Sequence, residues 1–364
     1  MSSKDPDQHT GLFAKLRTSL FRLFRLTEGP IIKLYTGYGN QSHCIVFGHV
    51  LSLGPMPRKK YRENILVNAF SLLRMFMVKP KSGVKLMMEF EETFYETVSG
   101  KDGFFRFEWK PEKGLSPGFH TVSVSLVNPI HKKLAFASSE IIIPHPNQYA
   151  FISDIDDTFL ISHSSNLRKR LFVLLTENAR TRIPFEGVAH HYHLLACSHA
   201  PRGTVNPFFY VSSSEWNLYD YIQEFAHNAH MPKAVFLLNQ LKGLSEILNT
   251  GQNNHRTKFF RITRILEAYP EQTFVLLGDD SQADPEIYRS VVSHFPERIF
   301  AVYIRHVGRK EKTAAKELLT EMEKEGVFCC YFKHSREAIE HSVSVGLVTR
   351  EEADRKYILP VDAE

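Results

Sequence analysis

The sequence contains few cysteines and no C-x-x-C pair. Only four occur in 364 residues: Cys44, Cys197, Cys329 and Cys330. This usage argues against a disulfide framework or a zinc site, and it predicts a reducing compartment. The polar start, MSSKDPDQHT, does not resemble a secretory signal peptide. These absences together predict a cytoplasmic protein.

The sequence also lacks a large excess of charge of either sign. The formal net charge is +5, with 23% charged and 43% hydrophobic residues. This composition is typical of a globular protein with a sizeable core, and the length allows two domains. The mild basic bias suits anionic substrates or surfaces and falls short of a nucleic-acid-binding signature.

The first amphipathic pattern, GLFAKLRTSLFRLFRLT at 11–27, contains too many arginines for a membrane span. Its leucines and phenylalanines recur at helical spacing, and basic residues gather on the opposite side. Residues 1–30 are therefore predicted to hold a basic amphipathic helix that the sequence EGP at 28–30 ends. Such a helix suits peripheral association with an anionic bilayer or packing on a neighbouring domain, and we prefer packing.

Short apolar and alternating runs extend from residue 31 to residue 146. Turn signals separate them, such as SGKDG at 99–103. The spacing predicts an antiparallel β-sandwich of about immunoglobulin size, with an accessory or substrate-presenting role. Residues 61–79 fit either a helix or further strands. The sequence PHP at 144–146 predicts a stiff linker at the domain boundary.

From residue 147 to residue 347, predicted strands and helices alternate, and residues 348–364 form a tail. The alternation predicts right-handed βαβ units in a mostly parallel, doubly wound α/β sheet. The predicted strands are Ala150–Ser153, Phe208–Ser212, Ala234–Leu238, Thr273–Leu277, Arg298–Ile304 and Val327–Phe332. The predicted helices are Trp216–Ala229, Phe259–Ala268, Asp284–His294, Glu311–Lys324 and Arg336–Gly346.

The stretch YAFISDIDDT at 149–158 places three carboxylates and a hydroxyl directly after an apolar run. A strand that ends there delivers Asp154 and Asp156 to the edge at which open parallel sheets bind ligands. Carboxylates this close repel each other unless a cation lies between them or one holds a proton. Taken alone, the stretch fits an active site and an acidic turn with a helix cap equally well.

A second acidic cluster, GDDSQAD at 278–284, follows another predicted strand. Asp284 also fits the N-cap of the helix that begins there, but a cap does not account for Asp279 and Asp280. The two clusters are expected at the same edge of the sheet, where they would meet.

Serines and a lysine complete the pattern. Ser212 and Ser213 follow a third predicted strand, where hydroxyls and free N–H groups bind anions or simply cap the next helix. Lys258 lies in the first turn of an amphipathic helix, where a cation opposes the helix dipole. In isolation it would be a surface lysine; beside two acidic clusters it becomes a candidate phosphate ligand.

In this order, DxDxT, strand-Ser, Lys and GDxxxxD resemble the haloacid dehalogenase (HAD) superfamily of phosphohydrolases over roughly residues 147–347. Within it, the chain resembles the fungal actin-patch type of phosphatidate phosphatase, with its lipin-like relatives. That similarity rests on FISDIDDT, TRIPFEGV at 181–188, FFYVSSSEWNLYD at 208–220, LLGDDSQADPEIY at 276–288 and VYIRHV at 302–307. The resemblance implies an HAD-like Rossmannoid sheet preceded by a β-rich segment.

The resemblance also implies a mechanism. Asp154 would attack phosphorus to form an aspartyl-phosphate. Asp156 would protonate the leaving oxygen and then activate water, also offering its backbone carbonyl to a metal. Thr158 would support the loop that carries both aspartates.

Binding roles follow from the same resemblance. A Mg²⁺ ion would be held by Asp154, Asp156 and Asp279, while Asp280 or Asp284 orients its waters. The phosphoryl oxygens would be bound by Ser212, Ser213 and Lys258. The sequence departs from the family pattern at Glu215, at Asp280 and at Asn239-Gln240. These departures leave the identity of the substrate undetermined, because they concern the outer pocket. None of them is the proposed nucleophile.

The long segment between Asp156 and Ser212 predicts a small helical cap at about residues 160–200. Its basic residues would meet an anionic headgroup or form a solvated helix face: Arg168, Lys169, Arg170, Arg180 and Arg182. The sequence HHYH at 190–193 has no carboxylate at ligand spacing, which argues against a metal site there.

The sequence therefore predicts a Mg²⁺-dependent phosphatase that converts phosphatidate to diacylglycerol and phosphate. The lipid substrate rests on the resemblance, with support from the basic amphipathic N-terminus. One alternative is a phosphatase for a soluble phosphometabolite or phosphoprotein. Another is a lipid-binding module without catalysis, although the presence of both Asp154 and Asp156 favours an enzyme.

Overall fold

The computed structural model describes residues 26–55, 75–127, 133–156, 158, 185–201, 203–241, 254–308 and 310–355. These residues form a nine-stranded, mostly antiparallel sheet, followed by a six-stranded sheet flanked by helices. Within the described ranges, no helix is both long and apolar enough to cross a bilayer.

The first sheet is built from alternating strands. Phe104–Trp109, for example, buries Phe105, Phe107 and Trp109 on one face and leaves the residues between them more exposed. Its strands are β1 Leu26–Leu34, β2 Gly37–Gly39, β3 Cys44–Pro55, β4 Lys79–Pro80, β5 Lys85–Phe90, β6 Thr93–Val98, β7 Phe104–Trp109, β8 Gly118–Val127 and β9 Lys133–Ile143. The prediction of a β-rich segment before residue 146 is confirmed.

Hydrogen bonds link all nine strands into one sheet, and the predicted division into the two packed sheets of a sandwich stays a prediction. The link is the short strand β2, which pairs antiparallel with β3 and parallel with β9. Strand β3 also pairs with β7 and β4, on the edge opposite β2. Beyond β9, the sheet continues through β8 and β5 to β6. Apolar side chains from both halves share one core. Pairing partners so distant in the chain cannot be read from alternation within each strand.

The first strand corrects the prediction for the N-terminal segment. β1 begins at Leu26, so residues 26–30, which we assigned to a helical segment and its stop, are strand. Pairing with β3 satisfies their backbone groups and overrides the local helical spacing. Residues 1–25 and 56–74, where an N-terminal helix and an ambiguous segment were predicted, lie outside the described residues.

The second sheet is wholly parallel, which confirms the α/β prediction. Its strands are β10 Ala150–Ser153, β11 Phe208–Glu215, β12 Ala234–Asn239, β13 Phe274–Asp279, β14 Ile299–Arg305 and β15 Phe328–Phe332. Their order is β12-β11-β10-β13-β14-β15. The chain thus starts in the middle at β10, builds outward to one side, and returns to build the other. Parallel sheets bind ligands where the order reverses, next to β10.

Helices cover this sheet. They are α1 Val188–Cys197, α2 Tyr219–Asn228, α3 Asn254–Ala268, α4 Asp284–His294, α5 Thr313–Lys324, α6 Ser335–Ser344 and α7 Arg350–Asp354, with a short 3₁₀ turn at Trp216–Leu218. Helices α3, α4 and α5 pack in sequence, and α1 packs on α6.

Helix α1 lies within the segment that we expected to form a cap. It belongs instead to the helical layer of the sheet: the Tyr192 hydroxyl lies 2.8 Å from Ser153 Oγ at the end of β10. His191 Nε2 lies 3.0 Å from Ser342 Oγ in α6. Since α1 is buried on one face, it serves as the crossover helix between β10 and β11. Residues 159–184, including the basic residues of the predicted cap, lie outside the described residues.

The two sheets are joined through aromatic side chains. Tyr35 after β1 stacks on Trp216 with ring centroids 4.1 Å apart. Tyr38 of β2 contacts Phe209 at 5.6 Å and Tyr269 at 6.1 Å. Those rings belong to a core that both parts of the chain share.

Candidate active site

The carboxyl ends of β10, β11 and β13 bring the predicted residues together. β10 pairs with β11 on one side and with β13 on the other. Asp154 continues this ladder, because its N–H donates to the Leu277 carbonyl at 2.8 Å. Asp154 and Asp279 are 0% exposed and Lys258 is 2% exposed. The site is thus a desolvated cluster of charges at the edge where the strand order reverses.

Three carboxylates form the centre of this cluster. Asp154, Asp279 and Asp284 each place an oxygen within 4.8 Å of the others. Asp284 lies at the start of α4, and its side chain is directed back toward the end of β13. There its Oδ2 accepts a hydrogen bond from the Asp279 N–H at 3.3 Å. A Cβ at Gly278 would meet Asp284 Oδ2 at 2.5 Å, so only glycine allows this approach.

The side chains of Lys258 and Thr158 donate hydrogen bonds to this acidic triad. The Lys258 ammonium donates to Asp154 Oδ1 at 2.7 Å and also to Asp284 Oδ1. The Thr158 hydroxyl lies 3.2 Å from Asp279 Oδ2 and 3.4 Å from Asp154 Oδ2. Thr158 therefore bridges the loops after β10 and β13, and Lys258 bridges β10 to α4.

Burial dominates the pKa values of Asp154 and Asp279. Burial raises the pKa of Asp154 well above its ordinary value; Lys258 opposes the shift, and the neighbouring carboxylates add to it. Burial, with the charge of Asp284, raises the pKa of Asp279 to about 8. Burial alone would lower the pKa of Lys258, but Asp154 and Asp284 outweigh it, so its pKa lies above the ordinary value. The lysine therefore carries a full charge at neutral pH.

The triad fits a hard divalent cation. Buried carboxylate oxygens are the ligands that Mg²⁺ takes in proteins, and one ammonium cannot neutralise three carboxylates. Asp154, Asp279 and Asp284 would hold such an ion. Of the residues that we predicted as metal ligands, the structure places Asp154 and Asp279 in this cluster.

Without a divalent cation, the protein is expected to lose stability as the pH rises. The folded-state pKa of Asp279 is about 8, against an ordinary value of 3.8. Between these values the folded state binds more protons than the unfolded state, so the free energy of unfolding falls with increasing pH. This contribution is fully present below about pH 4 and is lost as the pH passes through about 8.

Thermal unfolding in EDTA and in Mg²⁺, at intervals from about pH 5 to pH 8, measures this effect. A bound cation needs deprotonated ligands, so the stabilisation by Mg²⁺ should grow across this range. Asp279→Asn should flatten the dependence in EDTA. An unchanged slope in that variant would mean that other groups cause it.

Two serines hold the second aspartate. The hydroxyls of Ser212 and Ser214 donate to Asp156 Oδ2 at 3.0 and 2.8 Å. Ser213 lies between them and is half-buried. The strand thus also brings Ser214 to the predicted acid; the sequence placed Ser214 in the run of three serines expected to bind an anion, without a role of its own. The phosphate-binding roles of Ser212 and Ser213 stay a prediction.

Asp280 is engaged elsewhere. Its Oδ2 lies 2.7 Å from His306 Nδ1 and accepts from the Tyr331 hydroxyl at 2.6 Å. Its Oδ1 accepts from the Val307 N–H at 2.8 Å, and Lys312 donates to its backbone carbonyl. This network fixes the loop after β13 to β14 and β15. The metal-ligand role of Asp280 stays a prediction, and its contacts favour a structural role.

Two substitutions are expected to separate these roles. Asp280→Ala should lower the free energy of unfolding by about 3 kcal/mol, because it removes a buried carboxylate that accepts from the Tyr331 hydroxyl and the Val307 N–H and lies 2.7 Å from His306 Nδ1. It should leave Mg²⁺ affinity nearly unchanged. Asp284→Ala should instead weaken Mg²⁺ binding by about 10-fold or more.

Urea unfolding and the Mg²⁺ dependence of Tm provide both measurements. The same loss of Mg²⁺ affinity in Asp280→Ala would restore the ligand role that the sequence predicted for Asp280.

Comparisons with known proteins agree with this geometry. Residues 149–306 match the family model of the catalytic domain of phosphatidate phosphatase APP1. The chain is 30% identical over 162 residues to phosphatidate phosphatase APP1 of Saccharomyces cerevisiae, covering 44% of this chain and 26% of that protein. It is 28% identical over 174 residues to an uncharacterized protein of Schizosaccharomyces pombe, covering 46% and 27%. The chain thus spans about a quarter of the length of these curated relatives.

Among solved structures, a carbohydrate acetylesterase of Xanthomonas citri aligns with a TM-score of 0.31 and 7% identity. The alignment covers 87% of this chain and 75% of that one. A score this low supports no assignment.

Proposed function

Because residues 149–306 belong to the family of the phosphatidate phosphatase APP1 catalytic domain, we propose that the chain is a Mg²⁺-dependent phosphomonoester hydrolase. Its substrate is phosphatidate, and its products are diacylglycerol and phosphate. The observation that carries the proposal is the buried cluster of Asp154, Asp279, Asp284 and Lys258, which lies inside the matched segment. The parallel sheet that holds it is proposed to be the doubly wound, HAD-like type, with a β-sandwich-like accessory domain before it.

Asp154 is the nucleophile in this proposal. One of its oxygens attacks phosphorus while the bond to the lipid oxygen breaks, which gives an aspartyl-phosphate. Asp156 supplies a proton to the leaving diacylglycerol oxygen and then takes one from the water that hydrolyses the intermediate. The Ser214 hydroxyl, 2.8 Å from Asp156, fixes its carboxylate in place for both steps.

Positive charge makes the approach of two anions possible. Lys258, with Ser212, binds the oxygens of the transferring phosphoryl group. Asp154, Asp279 and Asp284 would hold Mg²⁺, with the Asp156 carbonyl as a further candidate, and the ion would supply electrostatic stabilisation of the phosphoryl oxygens. Thr158 keeps the two acidic loops together through its contacts with Asp154 and Asp279.

A paired substrate assay tests the proposal. Phosphate release is measured from phosphatidate in mixed micelles and from glycerol 3-phosphate, which carries the same phosphomonoester without acyl chains, each with Mg²⁺ or EDTA. Mg²⁺-dependent release from phosphatidate in clear preference to glycerol 3-phosphate is expected. Preference for the soluble ester, or for a phosphopeptide added to the panel, would favour the alternative of a soluble phosphometabolite or phosphoprotein phosphatase. Binding to phosphatidate vesicles without turnover of any ester would favour a lipid-binding module.

Peripheral membrane association of a cytoplasmic protein is part of the same proposal, because phosphatidate resides in bilayers. Its support is the basic amphipathic pattern at residues 11–27. Deletion of residues 1–25, which stops before β1, should reduce cosedimentation with anionic vesicles while leaving hydrolysis of a soluble ester intact. Equal vesicle binding by both proteins would exclude a contribution from this segment.

A further inference from the structure

Arg305, the last residue of β14, is a buried cation that, among the described residues, has no carboxylate partner. It is 2% exposed. No carboxylate within the described ranges lies at ion-pair distance from it. Burial lowers its pKa to about 10, so the guanidinium stays charged at neutral pH. Burial of a charge costs desolvation free energy unless hydrogen bonds compensate it. A buried arginine therefore indicates a specific role.

The guanidinium is compensated by acceptors from separate segments. Its Nε donates to the Thr158 carbonyl at 3.0 Å. The two terminal nitrogens donate to the Lys333 carbonyl at 3.1 Å and to Ser335 Oγ at 3.0 Å. The planar guanidinium group, whose N–H donors point in fixed directions, can bond all three acceptors at once. The single ammonium group of a lysine cannot do so.

The same side chain also contacts the residues that lead into α1. The guanidinium carbon lies 4.5 Å from the centre of the Phe185 ring and 4.8 Å from that of Phe332. Ser335, its hydrogen-bond partner, donates to the Glu186 carbonyl at 2.7 Å. Arg305 and Ser335 thus connect the end of the Asp154 loop to the start of α1.

The backbone of Arg305 contacts the other acidic loop. Arg305 is the register partner of Asp279 in the sheet. Its carbonyl accepts from the Asp280 N–H at 3.0 Å. One residue therefore joins both carboxylate-bearing loops, through its backbone to Asp279 and through its side chain to Thr158.

We infer that Arg305 is a positioning residue for the proposed hydrolysis. It holds the Thr158 peptide so that the Thr158 hydroxyl lies between Asp154 and Asp279 and the nucleophile keeps its place. It makes no contact with the phosphoryl group in this role. The kinetic part of the inference rests on the proposed function, while the positioning itself does not.

Two substitutions and a control test the inference. Arg305→Met removes the charge and all the hydrogen bonds, and Arg305→Lys keeps the charge but not the fork. Arg350→Met removes an exposed arginine from a surface ion pair with Glu340 and is the matched control. Amide hydrogen exchange is followed by mass spectrometry, and kcat and KM are measured on p-nitrophenyl phosphate with Mg²⁺.

In both Arg305 variants, the amide hydrogens of peptide 150–158 should exchange faster than in the wild type. Those of the remote strand 104–109 should exchange at the wild-type rate. They should lose about 10²-fold in kcat, because a small displacement of the nucleophile has that effect, while KM changes little. The control should match wild type in all three readouts. If Arg305→Met does not fold, Arg305→Lys alone decides.

Unchanged exchange at 150–158 in the folded variants would overturn the inference. Full kcat in Arg305→Lys would also overturn it, since charge alone would then suffice. If the wild-type protein hydrolyses no phosphoester, the proposed function fails and the exchange experiment still decides whether Arg305 positions the loop.

Discussion

Asp154→Asn is expected to reduce phosphate release to the background of the assay while the protein remains folded. The amide has the shape of the carboxylate but cannot form the acyl phosphate, so the nucleophilic step is lost. Removal of a catalytic nucleophile typically lowers kcat by about 10⁴-fold or more. The proposed mechanism assigns that full loss to a single side chain.

The stability of this variant distinguishes loss of chemistry from loss of structure. Asp154 is buried beside Asp279 and Asp284, and the mutual repulsion of these carboxylates contributes to its raised pKa. The substitution removes one negative charge from the cluster but keeps an acceptor for Lys258. Its Tm in EDTA should therefore equal or exceed that of the wild type.

Phosphate release from phosphatidate, with Tm from thermal unfolding, measures both effects. Asp220→Asn makes the same chemical change at an exposed carboxylate that pairs with Lys33, and it should keep full activity. Measurable turnover by a homogeneous Asp154→Asn preparation would exclude the aspartyl-phosphate mechanism.

Lys258→Met should lower both activity and stability. Loss of a positioned donor to the transferring group typically costs about 10²- to 10³-fold in kcat. The substitution also leaves Asp154 and Asp284 buried without their shared cation, which is expected to cost about 3–5 kcal/mol of unfolding free energy at neutral pH. The methionine keeps much of the apolar volume, so packing contributes little to the loss.

The pH dependence of this destabilisation identifies its electrostatic origin. Protonation of the carboxylates at low pH removes the charges that Lys258 neutralised, so the stability difference between variant and wild type should shrink as the pH falls. Mg²⁺ should restore part of the Tm by replacing the missing charge. Lys316→Met, at an exposed lysine paired with Glu311, is the control and should behave like wild type. A stability loss that is independent of pH would indicate a packing defect instead.

The central elements of the α/β part could be predicted because their signals are local. Strand Ala150–Ser153 and helix Asp284–His294 have the bounds that apolar runs and a proline at the helix start indicated. Lys258 meets Asp154 because parallel strands and their crossover helices place such residues at one edge. Periodicity and turn chemistry are sufficient for this much.

Roles that depend on distant partners could not be predicted. Asp280 follows Asp279 directly, yet its carboxylate is taken by His306 and Tyr331, which lie 26 and 51 residues further along the chain. The sequence predicted that Asp280 or Asp284 would orient the waters of a metal ion. Asp284 joins the triad because the chain turns back after β13, where the glycine at 278 leaves room for its carboxylate. In the same way, pairing with β3 makes residues 26–30 part of a strand despite the helical spacing of apolar residues in the preceding sequence.

The stacking of Tyr35 on Trp216 has a consequence for how this protein can be divided. Trp216 directly follows β11, which carries the serines that hold Asp156, and Phe209 and Tyr269 turn their rings toward Tyr38. In a fragment that begins near residue 147, these rings would be exposed to water. Strand β11, which carries the serines, would lose its packing against the first sheet. Residues 144–146 therefore connect two parts with different sheet topologies, but these parts are not expected to be stable independently of each other. This shared packing should stabilise both parts together, so that they melt in one calorimetric transition.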